Sequence, residues 1–159
     1  MLAYIFIFEF RNLTLTSIFF NDLDIKSSLL HKRKFKGFIT KIFRDENRRL
    51  ERVDIIFCSD AYLLKLNKKF LNHNFYTDTL TFVLSKANEL LLGEVYISIN
   101  RIKANSNDFR DTYQNELARV VIHGCLHLCG YADKPKKEAL LMIKRQEEYL
   151  IDWFVSRET

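Results

Sequence analysis

Two histidines four residues apart, His123 and His127, stand inside the apolar run 117-LARVVIHGCLHL-128, and Gly130 and Asp133 follow them. On a helix, residues i and i+4 project from one face about a turn apart, so both imidazoles can grip one ion. Gly130 marks where such a helix ends in a left-handed turn, after which Asp133 can fold back towards the imidazoles. Two imidazoles and a carboxylate, with a fourth position left for water, form the donor set of a catalytic zinc. A His-x-x-x-His pair alone is a weak signal, and the glycine and carboxylate at these offsets make it a specific one. The expectation is one Zn2+ per chain, held by His123, His127 and Asp133.

The cysteines in the same stretch point elsewhere. Cys125 is two residues from each histidine, roughly 200° around a helix, so it faces away from any ion, and Cys129 follows it on that far side. Both read as small buried hydrophobes. The histidine spacing is similar to that of the metzincin proteases, in which a glutamate follows the first histidine and activates the zinc water. Here Gly124 occupies that place and can move no proton, so amide hydrolysis is a poor fit. A substrate that brings its own nucleophile fits better, and RNA does so with the 2′-hydroxyl beside each phosphodiester.

These residues need a scaffold, and the chain is long enough to build one. Its 159 residues are 48% hydrophobic and 28% charged, with fourteen phenylalanines, four glycines and one proline, which marks a globular chain with a proper core and no disordered linker. Three cysteines without framework spacing suit a reducing compartment. The apolar opening 1-MLAYIFIF-8 is too short to span a bilayer and lacks the marks of a signal peptide, so the expectation is a soluble cytoplasmic protein. The formal charge is +5, and the segment from His31 to Arg52, with nine basic and three acidic residues, supplies all of it. Such a segment is either a solvated helix face or a surface for polyanions.

The periodicities predict α+β, a small mixed sheet of about four strands covered by about five helices in a single domain. Strands are expected at 3–10, 18–20, 53–58, 79–85 and 94–100. Helical spacing runs over 28–48, then 61–71 with Asp60 as its cap, and over 100–108, 113–129 and 135–154. Pro135 lies in the first turn of the last helix.

The string 123-HGCLHLCGYAD-133 resembles the signature of the YbeY family, bacterial rRNA maturation factors regarded as metal-dependent endoribonucleases. The stretches 66-LNKKFL-71, 77-TDTLTF-82 and 93-GEVYIS-98 are similar to further blocks of that family, in the same order. The likeness covers about 54–133 and leaves residues 1–17 as an extension ahead of a domain at 18–159. Two departures stand out. The family's third histidine falls on Asp133, with Ala132 where an aspartate is usual, and an arginine thought to line the RNA cleft falls on Leu71. His73, Lys68 and Lys69 are neighbouring candidates to replace that arginine, and each reads equally as ordinary surface.

The resemblance implies a zinc-dependent endoribonuclease for single-stranded RNA, working on ribosomal RNA (16S 3′-end maturation) in ribosome biogenesis, with the small ribosomal subunit and its assembly factors as partners. It implies that Thr77 and Asp78 form a polar pair opening a strand. Asp78 there either orients a metal-bound histidine or stabilises a turn. Lys34, Lys36 and Lys69 are the candidate contacts to the RNA backbone and His73 the candidate catalytic side chain. Two other readings stay open: a ribosome-associated RNA-binding protein with a structural metal, favoured by Leu71, and a small metallohydrolase for a peptide or another ester, with Gly124 arguing against peptides.

Overall fold

A computed structural model describes residues 17–158, so the strand expected at 3–10 lies outside the described residues. The elements in chain order are β1 (Ile18–Asp22), α1 (Lys32–Asp45), β2 (Leu50–Cys58), α2 (Asp60–Leu66) and a π-helical turn (Asn67–Leu71). β3 (Thr79–Val83), β4 (Leu91–Ser98), α3 (Ile99–Asp108), α4 (Tyr113–Cys129) and α5 (Lys136–Glu158) complete the fold. The sheet order is β1-β2-β4-β3, with β1 and β2 both parallel to their inner neighbours and β3 antiparallel to β4. This is the expected α+β arrangement, a mixed sheet of four strands with five helices in one domain.

Alternation along β4 decides which face receives the helix that carries His123 and His127. Leu91, Gly93, Val95 and Ile97 are buried against α4, while Leu92, Glu94 and Tyr96 point the other way, at the period of two that a pleated strand imposes. α4 is apolar on nearly every side, from Leu117 to Leu128, because it lies in the middle of the molecule between the sheet, α1 and α5. On α1, Phe35, Phe38, Ile39, Ile42 and Phe43 recur at helical spacing and form the stripe that packs inward. Trp153 near the end of α5 closes this core, its ring 4.5 Å from that of Phe35. The opposite face of the sheet carries a smaller cluster of Cys58, Leu63 and Leu80 beneath α2.

The boundaries that moved did so for local reasons. The strand expected to reach residue 100 stops at Ser98, whose hydroxyl accepts the Arg101 N–H (3.2 Å) and starts α3. Asp60 does not cap α2. Ser59 does, accepting the Tyr62 N–H at 3.2 Å, and Asp60 is taken up by the Arg101 guanidinium instead (2.7 Å). α1 is shorter than its apolar spacing suggests, because His31 (φ 52°) and Asn47 (φ 56°) turn the backbone left-handed on either side. No helix among the described residues is long and apolar enough to cross a membrane.

Candidate metal centre

Thr112 starts α4 by accepting the Asn115 N–H, and Gly130 ends it with φ 106°, its own N–H bonded to the His127 carbonyl. The turn brings Asp133 back to the histidines. His127 Nε2 lies 3.1 Å from His123 Nε2 and 3.2 Å from Asp133 Oδ1. A tetrahedral ion with bonds of about 2.0–2.1 Å holds its ligand atoms about 3.3 Å apart, so these spacings suit one zinc-sized cation. All three donor atoms lie within 4.8 Å of one another, and among the described residues this is the group of His, Cys, Asp or Glu side chains so placed.

The protons on the rings reinforce this reading. His123 Nδ1 stands 2.9 Å from Gln146 Oε1, and His127 Nδ1 stands 3.0 Å from the Tyr131 carbonyl oxygen. The Gln146 amide nitrogen donates to Glu147 (3.3 Å), which fixes the amide with its oxygen towards His123. Both partners accept only, so each imidazole carries its proton on Nδ1 and donates it there. The two Nε2 atoms therefore face each other as bare lone pairs, a repulsion that a shared cation removes. Burial pushes His127 below the ordinary histidine value of 6.5, the neighbouring His123 adds to that, and Asp133 opposes it. His127 is thus neutral near pH 7, the form that binds metal.

Gly124 has a packing role. A Cβ built there would lie 2.4 Å from Val95 Cγ1, so position 124 faces the sheet at the closest approach of α4 to β4. No side chain fits there, and one would point into the sheet rather than towards the ion. Cys125 is fully buried on the far side of the helix, as its spacing predicts, and burial raises its thiol well above the usual value.

The centre opens on a cleft of about 400 Å³ whose lining includes His73, Thr77, Asp78, His123, His127 and Asp133. The sequence-level candidates near the histidine motif therefore do converge. The side chain of Asp133 is 63% exposed, so the ion's remaining side faces the cleft. Leu71 also lines it, an apolar side chain where the family arginine was expected. The rim holding His73 is fixed by Asn67, almost fully buried at the start of the π-helical turn. Its carbonyl accepts the His73 N–H (3.2 Å), and its amide donates to the Phe75 carbonyl (3.2 Å). The His73 ring stacks on Phe75, centroids 4.9 Å apart.

The remaining candidates make other contacts. The hydrogen bonds that set both histidine tautomers come from Gln146 and Tyr131, while the Asp78 backbone carbonyl accepts from the Ser98 N–H (2.9 Å). Lys69 lies over the Phe70 ring (5.0 Å) outside the cleft lining. Lys36 lies over Phe19 and Phe20 on β1, the opposite edge of the sheet from β3, and Lys34 sits beside Trp153. Sequence reasoning missed Gln146, Asn67 and Lys134, the last of which lines the cleft next to Asp133. Asn67 carried a usable signal, since it belongs to the 66-LNKKFL-71 block; Gln146, on a separate helix, carried none.

The mixed sheet, the buried central helix and its His-His-Asp cluster define a small α+β protein built around a helix-borne candidate metal site. The chain belongs to the YbeY family: the family model described as "Endoribonuclease YbeY" matches residues 21–153. It is 38% identical over 129 residues to the endoribonuclease YbeY of Flavobacterium psychrophilum, covering 81% of this chain and 91% of that one. It is 41% identical over 127 residues to that of Karelsulcia muelleri, covering 80% and 89%. It is similar to the solution structure of a Thermotoga maritima protein, with a TM-score of 0.63 and 32% identity, over 89% of this chain and 92% of that one.

Proposed function

We propose that the protein is a zinc-dependent endoribonuclease cutting single-stranded RNA in the cytoplasm. Its role is in ribosomal RNA processing at the 16S 3′ end, beside the small ribosomal subunit and its assembly factors. The observation that carries this reading is the pair of Nε2 atoms 3.1 Å apart, with Asp133 at 3.2 Å, open to the cleft on the remaining side. A structural zinc is enclosed by four protein ligands, whereas a catalytic one keeps a position free.

His123, His127 and Asp133 hold the ion, and Gln146 and the Tyr131 carbonyl keep both Nε2 atoms unprotonated for it. When bound, zinc supplies positive charge and Lewis acidity beside a phosphodiester. Thr77 and Asp78 form the wall along which the strand lies, and Thr77 is held by its hydroxyl's bond to the Thr79 carbonyl (3.1 Å). His73 is the rim imidazole that exchanges a proton with the substrate's 2′-hydroxyl. Gly124 leaves no carboxylate for that task, which suits a substrate carrying its own nucleophile.

The test is cleavage of an end-labelled single-stranded RNA by wild-type protein, by chelated protein, by zinc-reloaded protein and by His127→Ala. Cleavage lost on chelation, restored by zinc and absent in the variant is the expected result. A second reading, an RNA-binding protein with a metal but no turnover, draws on Leu71, which gives the cleft no guanidinium for a phosphate. RNA binding without cleavage in a sample carrying one zinc per chain would favour it.

A further inference from the structure

The metal cleft is lined by β3 as far as Thr81. A second hollow of about 510 Å³ lies at the far end of β3, bounded by Arg48, Arg49, Lys86 and Val83. The metal helix runs along this line. Gly124 packs against Val95, which pairs with Thr81 of the cleft wall, and one turn later Leu128 packs against Gly93, which pairs with Val83 of the hollow. Thr81 and Val83 are neighbours on one face of β3, about 6.8 Å apart along the strand.

The two arginines differ from the paired cations on either side of them. Lys41 and Arg44 pair with Asp45, and Arg52 pairs with Asp54 at 2.6 Å. Arg48 and Arg49 meet no carboxylate among the described residues, although their backbones are anchored. The Arg48 N–H bonds to the Phe43 carbonyl (2.7 Å), and the Arg49 carbonyl accepts from Leu91 (2.8 Å). Glu89, the acid in the hollow, is engaged by the backbone N–H of Lys86 at 3.0 Å. The hollow thus presents three cations to one carboxylate on a fixed frame, beside a site that acts on a phosphodiester.

We infer that Arg48, Arg49 and Lys86 form a phosphate subsite that holds the RNA backbone on one side of the metal cleft. The inference rests on the endoribonuclease reading and adds which phosphates are gripped and from where. The strand leaves the metal along β3 towards the turn between α1 and β2. Of the basic segment from His31 to Arg52, the C-terminal end meets the RNA, and the α1 face bearing Lys34 and Lys36 does not.

The experiment measures binding of a fluorescent 2′-O-methyl single-stranded oligonucleotide between 50 and 200 mM KCl. Wild type is compared with Arg48→Ala/Arg49→Ala and with Lys34→Ala/Lys36→Ala. Each phosphate contact to a single strand contributes about 0.7 to the slope of log affinity against log salt. Losing two contacts flattens the slope by about 1.4, so the affinity gap between this variant and wild type narrows about sevenfold across that range. Unchanged melting temperatures establish that the variants fold, and Arg49→Gln alone, with a slope change of about 0.7, serves if the double variant does not. A wild-type slope in the arginine variant, or a flattened one in the lysine variant, overturns the inference. Absence of RNA binding by wild-type protein would sink the endoribonuclease reading itself.

Discussion

Replacing Gly124 by alanine tests the account of why α4 lies where it does. The added Cβ would fall 2.4 Å from Val95 Cγ1, whereas carbon atoms rest about 3.5–4.0 Å apart, so more than about 1 Å must be found. Val95 cannot supply it, being β-branched, fully buried and in an inner strand. The helix must therefore lift from the sheet. Overpacking of this kind costs about 1–3 kcal/mol, which in a domain of this size lowers the melting temperature by about 2–12 °C. His123 flanks the substituted position and His127 lies one turn on, so zinc affinity falls in the same variant. Val95→Ala removes the colliding methyl and is destabilising alone, yet the double variant should recover part of the loss, with a coupling of about 0.5–3 kcal/mol. Urea unfolding of the four proteins, with and without zinc, reads every term. Melting of Gly124→Ala within a degree of wild type, or strict additivity in the double variant, would refute the reasoning.

Other outcomes follow from the same geometry. Gln146→Leu removes the acceptor that fixes His123 and should weaken zinc binding about 10- to 100-fold in competition with a chromophoric chelator, while Gln146→Glu, which keeps an acceptor, should not. Zinc at a hundred times its Kd should add about 2.7 kcal/mol to wild-type stability in thermal melts, and Asp133→Ala should lose much of that gain at the same zinc concentration. Burial alone would raise the Glu46 carboxyl. Hydrogen bonds from Tyr149, Arg145 and Tyr131 outweigh it and hold the group below its usual 4.5. Below 4.5 the unfolded chain takes up the proton first, so the stability this carboxylate provides is complete above that pH and drains away as the pH falls through the folded value. Glu46→Gln has no charge to lose, and its acid unfolding curve should be shallower than that of wild type.

The sequence revealed most where local chemistry decides. α4 spans 113–129 as expected, because the glycine after it is a strong end signal, and the histidine spacing followed from helical geometry alone. The end of β4 was overrun because Ile99 continues the alternation of Val95 and Ile97, while Ser98 had already turned the chain into a helix. Asp60 and Ser59 are both good caps, and the choice fell to the distant Arg101, which claims the aspartate. Gln146 was invisible for a similar reason: its meeting with His123 depends on how α5 docks. The basic segment was legible as charge but not as direction, since β1 and β3 stand at opposite edges of the sheet and only the fold divides the cations between them.

The two imidazoles of the candidate metal centre are gripped from behind. Gln146 reaches His123 from α5, and Tyr131, whose hydroxyl donates to Glu46 on the far side (2.9 Å), holds His127 through its carbonyl. Neither residue lines the cleft, and Leu71, His73 and Phe75, which do line it, lend the imidazoles no hydrogen bond. The wall that meets a substrate and the frame that steadies the imidazoles are therefore almost separate inventories, sharing little beyond the ligands themselves. A chain built this way can vary its cleft and change what it recognises without disturbing the hydrogen bonds that orient its two histidines.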